Sequence, residues 1–529
     1  MFRKLFLATS FVAAAAAAQA QDIDVQHYRF HLKLSDSSDR IEGEARMEIL
    51  FPKETSAFSL DLVGPKGSKG MTVTEVGSYA NQKWRQEGDK IRFEFDAPVN
   101  AGQKHTFLVK YRGIPADGLI ISKNKHGERT FFADNWPNRA HHWIPCNDRP
   151  DDKATFEFIV TAPSKYQVIS NGELVNREIK MTANGPSGHV ELTPLVTHWR
   201  CDVALPTKVM VIGAARFAVK TFADSPAGIP VSAWVYPQDS TKGFYDYALA
   251  PSIVKFFSEY IAPFPYSKLA NVQSKTIFGG MENASAIFYA EESVTGDRKW
   301  EDVIAHEIAH QWFGDMASEK SFAHLWLSEG FATYLTNIYF EKKYGADALR
   351  KRLEADRKQV LDFVKSSKSP VVDSTSNLMS LLNANSYQKG GWVLHMLRQE
   401  VGDAAFQKII KAYYNKYKGG NAETRDLQAI AESVSSRELG YFFDQWLYRP
   451  GVPRLRFEEK RDEDGLKLKI YQEGLVYRLN LEVELEVGGR KERHVVRITG
   501  PETEFKRKGN VTGKLVIDPD ASLLFEQVK

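Results

Sequence analysis

The spacing of apolar residues changes period twice along this chain, and each period admits one kind of regular structure. Alternating apolar residues build a sheet with one buried face, whereas apolar residues three and four apart build an amphipathic helix. From Asp22 to about Phe222 the pattern is that of strands. It is clearest in Tyr28-Arg29-Phe30-His31-Leu32-Lys33-Leu34, Ile91-Arg92-Phe93-Glu94-Phe95 and Thr155-Phe156-Glu157-Phe158-Ile159-Val160. Asn171-Gly172 and Asn184-Gly185 mark turns between such runs. From about 223 to 450 the spacing becomes mainly helical, in Trp300 to Phe313, Leu327 to Tyr344, Ala346 to Phe363 and Gly391 to Val401. Arg449-Pro450-Gly451-Val452-Pro453 then punctuates the chain, and alternation returns in Leu466 to Ile470 and Leu479 to Leu485. The expected fold class is multidomain α+β: an N-terminal β domain over 21–222, a mainly α domain over 223–450 and a small C-terminal β domain over 451–529.

The chain of 529 residues is long enough for each of these domains to bury its own core. A net charge of only +3, with no block of like charge and no basic tail, speaks against a nucleic-acid partner. Arg3-Lys4, the apolar run Leu5 to Ala18 and the small-x-small site Ala18-Gln19-Ala20 follow the order of a secretory signal peptide over residues 1–20. That run is too short to span a bilayer as a stable helix, and no later run is long enough, so no membrane span is expected. The expectation is an exported protein, in a bacterial periplasm or secreted. Cys146 and Cys201 can pair in an oxidising compartment; the plainer reading is two unrelated buried thiols.

The chemistry concentrates in the middle region. His306-Glu307-Ile308-Ala309-His310 lies on a predicted helix that ends at Gly314. Histidines four apart stack on one helical face, so both imidazoles can reach a single Zn²⁺, with Glu307 placed to touch a zinc-bound water. The pattern alone also fits two histidines on a partly buried helix face. A third ligand is available in Glu329, at the start of a second amphipathic stretch. One continuous helix would place Glu329 about 28 Å from His310, but Gly314-Asp315 and Ser318-Glu319-Lys320-Ser321 break it and allow a return. Two His, one Glu and an open fourth position describe a catalytic zinc site, one Zn²⁺ per chain; a structural site uses four protein ligands.

With Glu329 following His310 after eighteen intervening residues, the arrangement resembles the gluzincin aminopeptidases, which include aminopeptidase N and the leukotriene epoxide hydrolase. Three further segments carry the resemblance. Gly279-Gly280-Met281-Glu282-Asn283 is similar to the family's exopeptidase motif, whose Glu binds the substrate's α-ammonium group. Tyr387-Gln388-Lys389-Gly390 is similar to the segment whose Tyr stabilises the tetrahedral intermediate, and Pro145-Cys146-Asn147-Asp148-Arg149-Pro150 to a signature of the N-terminal β domain. The resemblance implies a saddle-like β domain, a thermolysin-like catalytic domain and a short C-terminal β domain. It also implies that the large C-terminal helical domain is absent from this chain and that the catalytic domain is more open. The implied activity is zinc-dependent removal of N-terminal residues from peptides with a free N-terminus. His306, His310 and Glu329 would hold the metal, Glu307 would act as general base and Tyr387 would donate to the oxyanion. Glu282 would bind the ammonium, and Gly279 and Gly280 would let substrate backbone approach.

Three departures from the family pattern stand out. A Glu or Gln that also contacts the substrate N-terminus would fall at Trp136, and only Asp134 or Asn135 can substitute for it locally. Trp136 is a candidate wall of the pocket for the first residue, favouring apolar or aromatic side chains. Asp315 and Ser328 stand where Asn is usual, and neither is expected to touch a ligand. Adjacent His141 and His142 make a poor ligand pair, His324 reads as a surface or cap residue, and His395 as a core histidine. Besides the aminopeptidase, the alternatives are a zinc endopeptidase with a weakened N-terminal anchor, an epoxide hydrolase, and a non-catalytic peptide-binding relative. Oligomeric state is not readable from this sequence.

Overall fold

The computed structural model describes residues 23–78, 82–179 and 194–529; the expected signal peptide and the Asn184-Gly185 turn lie outside the described residues. The first strands form a seven-stranded sheet in the order Glu173–Ile179, Leu195–Pro206, Lys153–Ala162, Asp24–Lys33, Ile41–Leu50, Lys104–Ile114, Gly70–Ser78. The alternation read from sequence is its inner face. Tyr28, Phe30 and Leu32 are buried beside Phe156, Phe158 and Val160, with Phe30 opposite Phe158 in parallel register. A three-stranded and a four-stranded sheet complete this region. Cys146 and Cys201 are both buried and free, so the pairing considered above is absent.

Strands continue past the expected helical boundary. Val231–Val235, Leu269–Ser274, Ala286–Ala290 and Gly280–Met281 lie inside the region read as mainly helical and, with Ala218–Thr221 just before it, form a five-stranded sheet. Leu269–Ser274 is buried at every position, so it offers no alternation to read. Asn271 and Gln273 within it find partners: Tyr289 Oη donates to Asn271 Oδ1 (3.1 Å), and Gln273 Nε2 donates to Asp239 (2.8 Å).

The helices are α1 (Ser240–Tyr247), α2 (Ala250–Tyr260), α3 (Glu301–His310), α4 (Trp326–Tyr344), α5 (Ala346–Val364), α6 (Gly390–Val401), α7 (Asp403–Tyr417), α8 (Thr424–Ser435) and α9 (Gly440–Leu447). Most of the expected spans agree within a residue or two. The exception is α3, which ends at His310 rather than near Gly314. Gly314 adopts φ +118°, outside any helix, and Asp315 N–H donates back to His310 O (3.2 Å) as the chain reverses. The remaining chain forms a four-stranded and a three-stranded sheet from Arg454 onward. Among the described residues no helix is long and apolar enough to cross a membrane.

Two contacts set the site's frame. α4 and α6 cross at Gly330 and Gly390, where a Cβ on Gly330 would lie 2.9 Å from the Gly390 backbone. Between the N-terminal sheets and the helical region, Lys208 pairs with Glu319, their side chains 2% and 0% exposed. Lys153 Nζ donates nearby to the carbonyls of Met316 (2.9 Å) and Gly420 (2.8 Å). Buried charges of this kind persist only when paired or hydrogen-bonded. Gly330→Ala is expected to lower stability by about 1–3 kcal/mol through overpacking, despite alanine's better helix propensity. A denaturation midpoint that falls at constant m-value is the check.

Candidate metal centre

α3 forms because Ile304, Ala305, Ile308 and Ala309 bury one side of it, while Glu301 and Asp302 sit favourably at its N-terminal end. That orientation turns His306, Glu307 and His310 toward a cavity of about 400 Å³, which Glu329 from the first turn of α4 also lines. The Nε2 atoms of His306 and His310 are 3.0 Å apart, and Glu329 Oε2 lies 3.3 and 3.2 Å from them. A tetrahedral metal with bonds of about 2.0–2.1 Å requires donor separations of about 3.3 Å, so the three residues fit a zinc ion. His310 Nδ1–H donates to Phe313 O (3.0 Å), which leaves Nε2 free to face a metal.

Ser328 does touch a ligand, contrary to expectation: its hydroxyl lies 3.1 Å from His310 Nδ1. The reversal at Gly314 permits this contact, since a Cβ there would sit 2.3 Å from Ser328 Oγ. Asp315 also reaches the ligand, through its backbone N–H, while its fully buried carboxyl is pushed well up by burial.

The other predicted residues gather around this cluster. Glu307 is 5% exposed, and burial pushes its carboxyl well above the ordinary range. Gly280 packs on it: a Cβ there would lie 2.3 Å from Glu307 Oε1, so this glycine makes room for the base as well as for a substrate backbone. Tyr387 sits in a π-turn, Asn385–Lys389, closed by Lys389 N–H donating to Ala384 O (2.8 Å). Its ring stacks on His306 at 5.9 Å, and burial, reinforced by Glu329, keeps its hydroxyl protonated and able to donate. Gly279, Met281 and Glu282 line the same cavity. Glu282 is 5% exposed and its Oε1 has no hydrogen-bond partner among the described residues. Burial pushes its carboxyl up, with His310 pulling the other way. Asn283 is fully buried, its side-chain amide also without a hydrogen-bond partner among the described residues.

Trp136 lines the cavity, edge-on to Phe278 (6.0 Å) and Phe322 (5.9 Å). Asp134 and Asn135 do not replace the missing acceptor. Asp134 is saturated by Arg139, Thr276 and the Ile277 N–H; Asn135 bonds the Thr207 and Met210 carbonyls and the Trp143 indole. His141 and His142 lie in a 3₁₀ turn rather than a strand, and His141 pairs with Asp148 at 2.7 Å. His324 meets Thr424 Oγ1 (2.9 Å), and buried His395 meets Tyr334 Oη (2.9 Å). Sequence reasoning missed Gln311, Arg352 and Asp356. Arg352 and Asp356 line the cavity from α5, and helical spacing alone gives no signal that singles them out.

Comparison with known proteins places this grouping of fold and candidate site within a peptidase family. Residues 24–189 match the Peptidase M1 N-terminal domain and residues 245–446 the Peptidase family M1 domain. The chain belongs to peptidase family M1, the gluzincin aminopeptidases. It is similar to Aminopeptidase M1-A of Oryza sativa subsp. japonica, 27% identical over 72% of this chain and 44% of the relative. Aminopeptidase 2 of Candida albicans is 23% identical over 82% of this chain and 48% of its own. Leucyl aminopeptidase of Saccharolobus solfataricus is 23% identical over 90% of this chain and 60% of its own. The chain thus spans about half the length of curated relatives it matches.

Metal analysis of the purified protein is expected to find one zinc per chain. His306→Ala, His310→Ala and Glu329→Ala are expected to lose it, while His141→Ala and His324→Ala retain it.

Proposed function

We propose that this protein is a zinc-dependent aminopeptidase that removes N-terminal residues from peptides with a free N-terminus. The observation that carries this reading is one cavity holding the His306, His310 and Glu329 donors, the buried base Glu307, Tyr387 and the unpartnered Glu282 oxygen. A zinc ion bound by the three donors supplies Lewis acidity toward the scissile carbonyl and the attacking water. Glu307 takes the proton from that water and passes it to the leaving amine, a task suited to a carboxyl whose pKa burial has raised. Tyr387 Oη donates a hydrogen bond to the oxygen that gains charge. Glu282 receives the substrate ammonium, a charge-assisted contact that a blocked N-terminus cannot make. Trp136, in place of a second acceptor, leaves the amine with Glu282 and gives the first side chain an aromatic wall with Phe278.

The domain limits 21–222, 223–450 and 451–529, the saddle-like and thermolysin-like shapes, and export to a periplasm or the exterior after loss of residues 1–20 belong to the same proposal. Zinc-dependent cleavage of one peptide library, with free and with acetylated N-termini, tests it. Cleavage of the free form alone, lost with chelator, is expected. Cleavage of both forms would make the protein an endopeptidase, and cleavage of neither would leave a peptide-binding role. Glu307→Ala is expected to keep its zinc and lose turnover, and full activity in that variant would sink the mechanism. Trp136→Ala is expected to reorder the preferred N-terminal residues, read as kcat/KM across aminoacyl amides.

A further inference from the structure

Gln311 follows the ligand His310 directly, is fully buried, and lies outside the cavity. Its side-chain amide makes two short contacts with one loop. Nε2 donates to the Glu282 carbonyl (2.6 Å), and Oε1 accepts from the Ser285 N–H (2.7 Å). A primary amide offers a donor and an acceptor side by side, so it can bridge a C=O and an N–H of one turn as a neighbouring strand would. The loop needs such a bridge. Ser285 holds φ +63°, a conformation costly for a residue with a Cβ, so the turn persists only where its surroundings fix it. The N-terminal region supplies the opposing grip: Asn171 Nδ2 donates to Ala284 O (2.7 Å), and Gly172 N–H donates to Ser285 Oγ (2.9 Å).

We propose that Gln311 is the positioning residue that sets the distance between the ammonium anchor Glu282 and the metal ligands. The inference rests on the reading of Glu282 as that anchor. Because Gln311 and His310 are adjacent at one helix end, the Gln311 amide ties the loop carrying Glu282 to the candidate metal cluster by two side-chain hydrogen bonds. With the Glu282, Glu307 and His310 donor atoms within 4.8 Å of one another, that spacing would suit an amine and a reacting carbonyl carried by the same N-terminal residue. Replacing Gln311 by the isosteric, apolar Met leaves the Glu282 carbonyl and the Ser285 N–H buried without partners, and the loop relaxes away from its reference.

The test measures what the amine adds to binding. Leucine hydroxamate and its des-amino counterpart, 4-methylpentanohydroxamate, are titrated calorimetrically into the zinc-loaded full chain; the ratio of their Kd values is the amine increment. Glu282→Gln is expected to remove most of that increment. Gln311→Met is expected to shrink it by about tenfold, the scale of lost buried hydrogen bonds, while the des-amino Kd and zinc content stay unchanged. In the double variant with Glu282→Gln, Gln311→Met is expected to cost nothing further, because it acts through Glu282. Equal weakening of both ligands, or the same loss of increment in both backgrounds, overturns the proposal. If Glu282→Gln leaves the increment intact, the anchor reading falls and this inference with it. Should Gln311→Met fold poorly, Gln311→Glu keeps the acceptor for Ser285 but sets an anion against the Glu282 carbonyl, and the increment is expected to fall in the same way.

Discussion

Three carboxylates, Glu282, Glu307 and Glu329, are buried together in one small volume, each no more than 5% exposed. Ionised carboxyls removed from water are costly, and more so beside one another, unless opposite charge is held close. The chain supplies some of that charge itself. Burial alone would push His310 down, but Glu329, Glu282 and Glu307 reverse this and carry it up to about 10. Lys208, buried against Glu319, adds to the field at Glu282. A divalent cation at the His306, His310 and Glu329 donors would replace the proton on His310, and an ammonium at Glu282 would add to the balance, which is the electrostatic case for the proposed reaction.

The rest of the fold places those groups where their charges can be shared. α3 and α4 must present ligands toward each other, so the chain between His310 and Glu329 has to reverse within a short span. Gly314 provides the backbone conformation for that reversal and the space into which Ser328 meets His310. Gly330 and Gly390 then bring α4 and α6 into backbone contact, which delivers the π-turn and Tyr387 to the face of His306. The N-terminal sheets take part as well: Trp136 walls the cavity, Asn171 grips the Glu282 loop, and Lys208 crosses to Glu319. The site is therefore assembled across the junction between the N-terminal sheets and the helical region.

Much of this was legible in one dimension because it rests on local period. The alternation in Tyr28 to Leu34 became an inner sheet face, and the helical spacing of Leu327 to Tyr344 became α4. The pair His306 and His310 is readable for the same reason, since four residues along a helix is one turn whatever surrounds it. Leu269–Ser274 was not legible as a strand, because burial on both faces erases the alternation a strand shows elsewhere. The end of α3 was misplaced because helical spacing continues past His310, whereas Gly314 and the bond from Asp315 N–H to His310 O turn the backbone there.

Sequence by itself determined the candidate metal donors and their helical spacing and, through resemblance, suggested the roles proposed for Glu282, Glu307 and Tyr387. Only the tertiary structure decided that Ser328 meets His310, that Asp134 and Asn135 are already saturated, and that Gln311 bridges Glu282 and Ser285. The physical reason is the range of the interaction. A ligand pair one helical turn apart is fixed by local geometry, whereas a hydrogen bond between residues far apart in the chain depends on how separate elements pack.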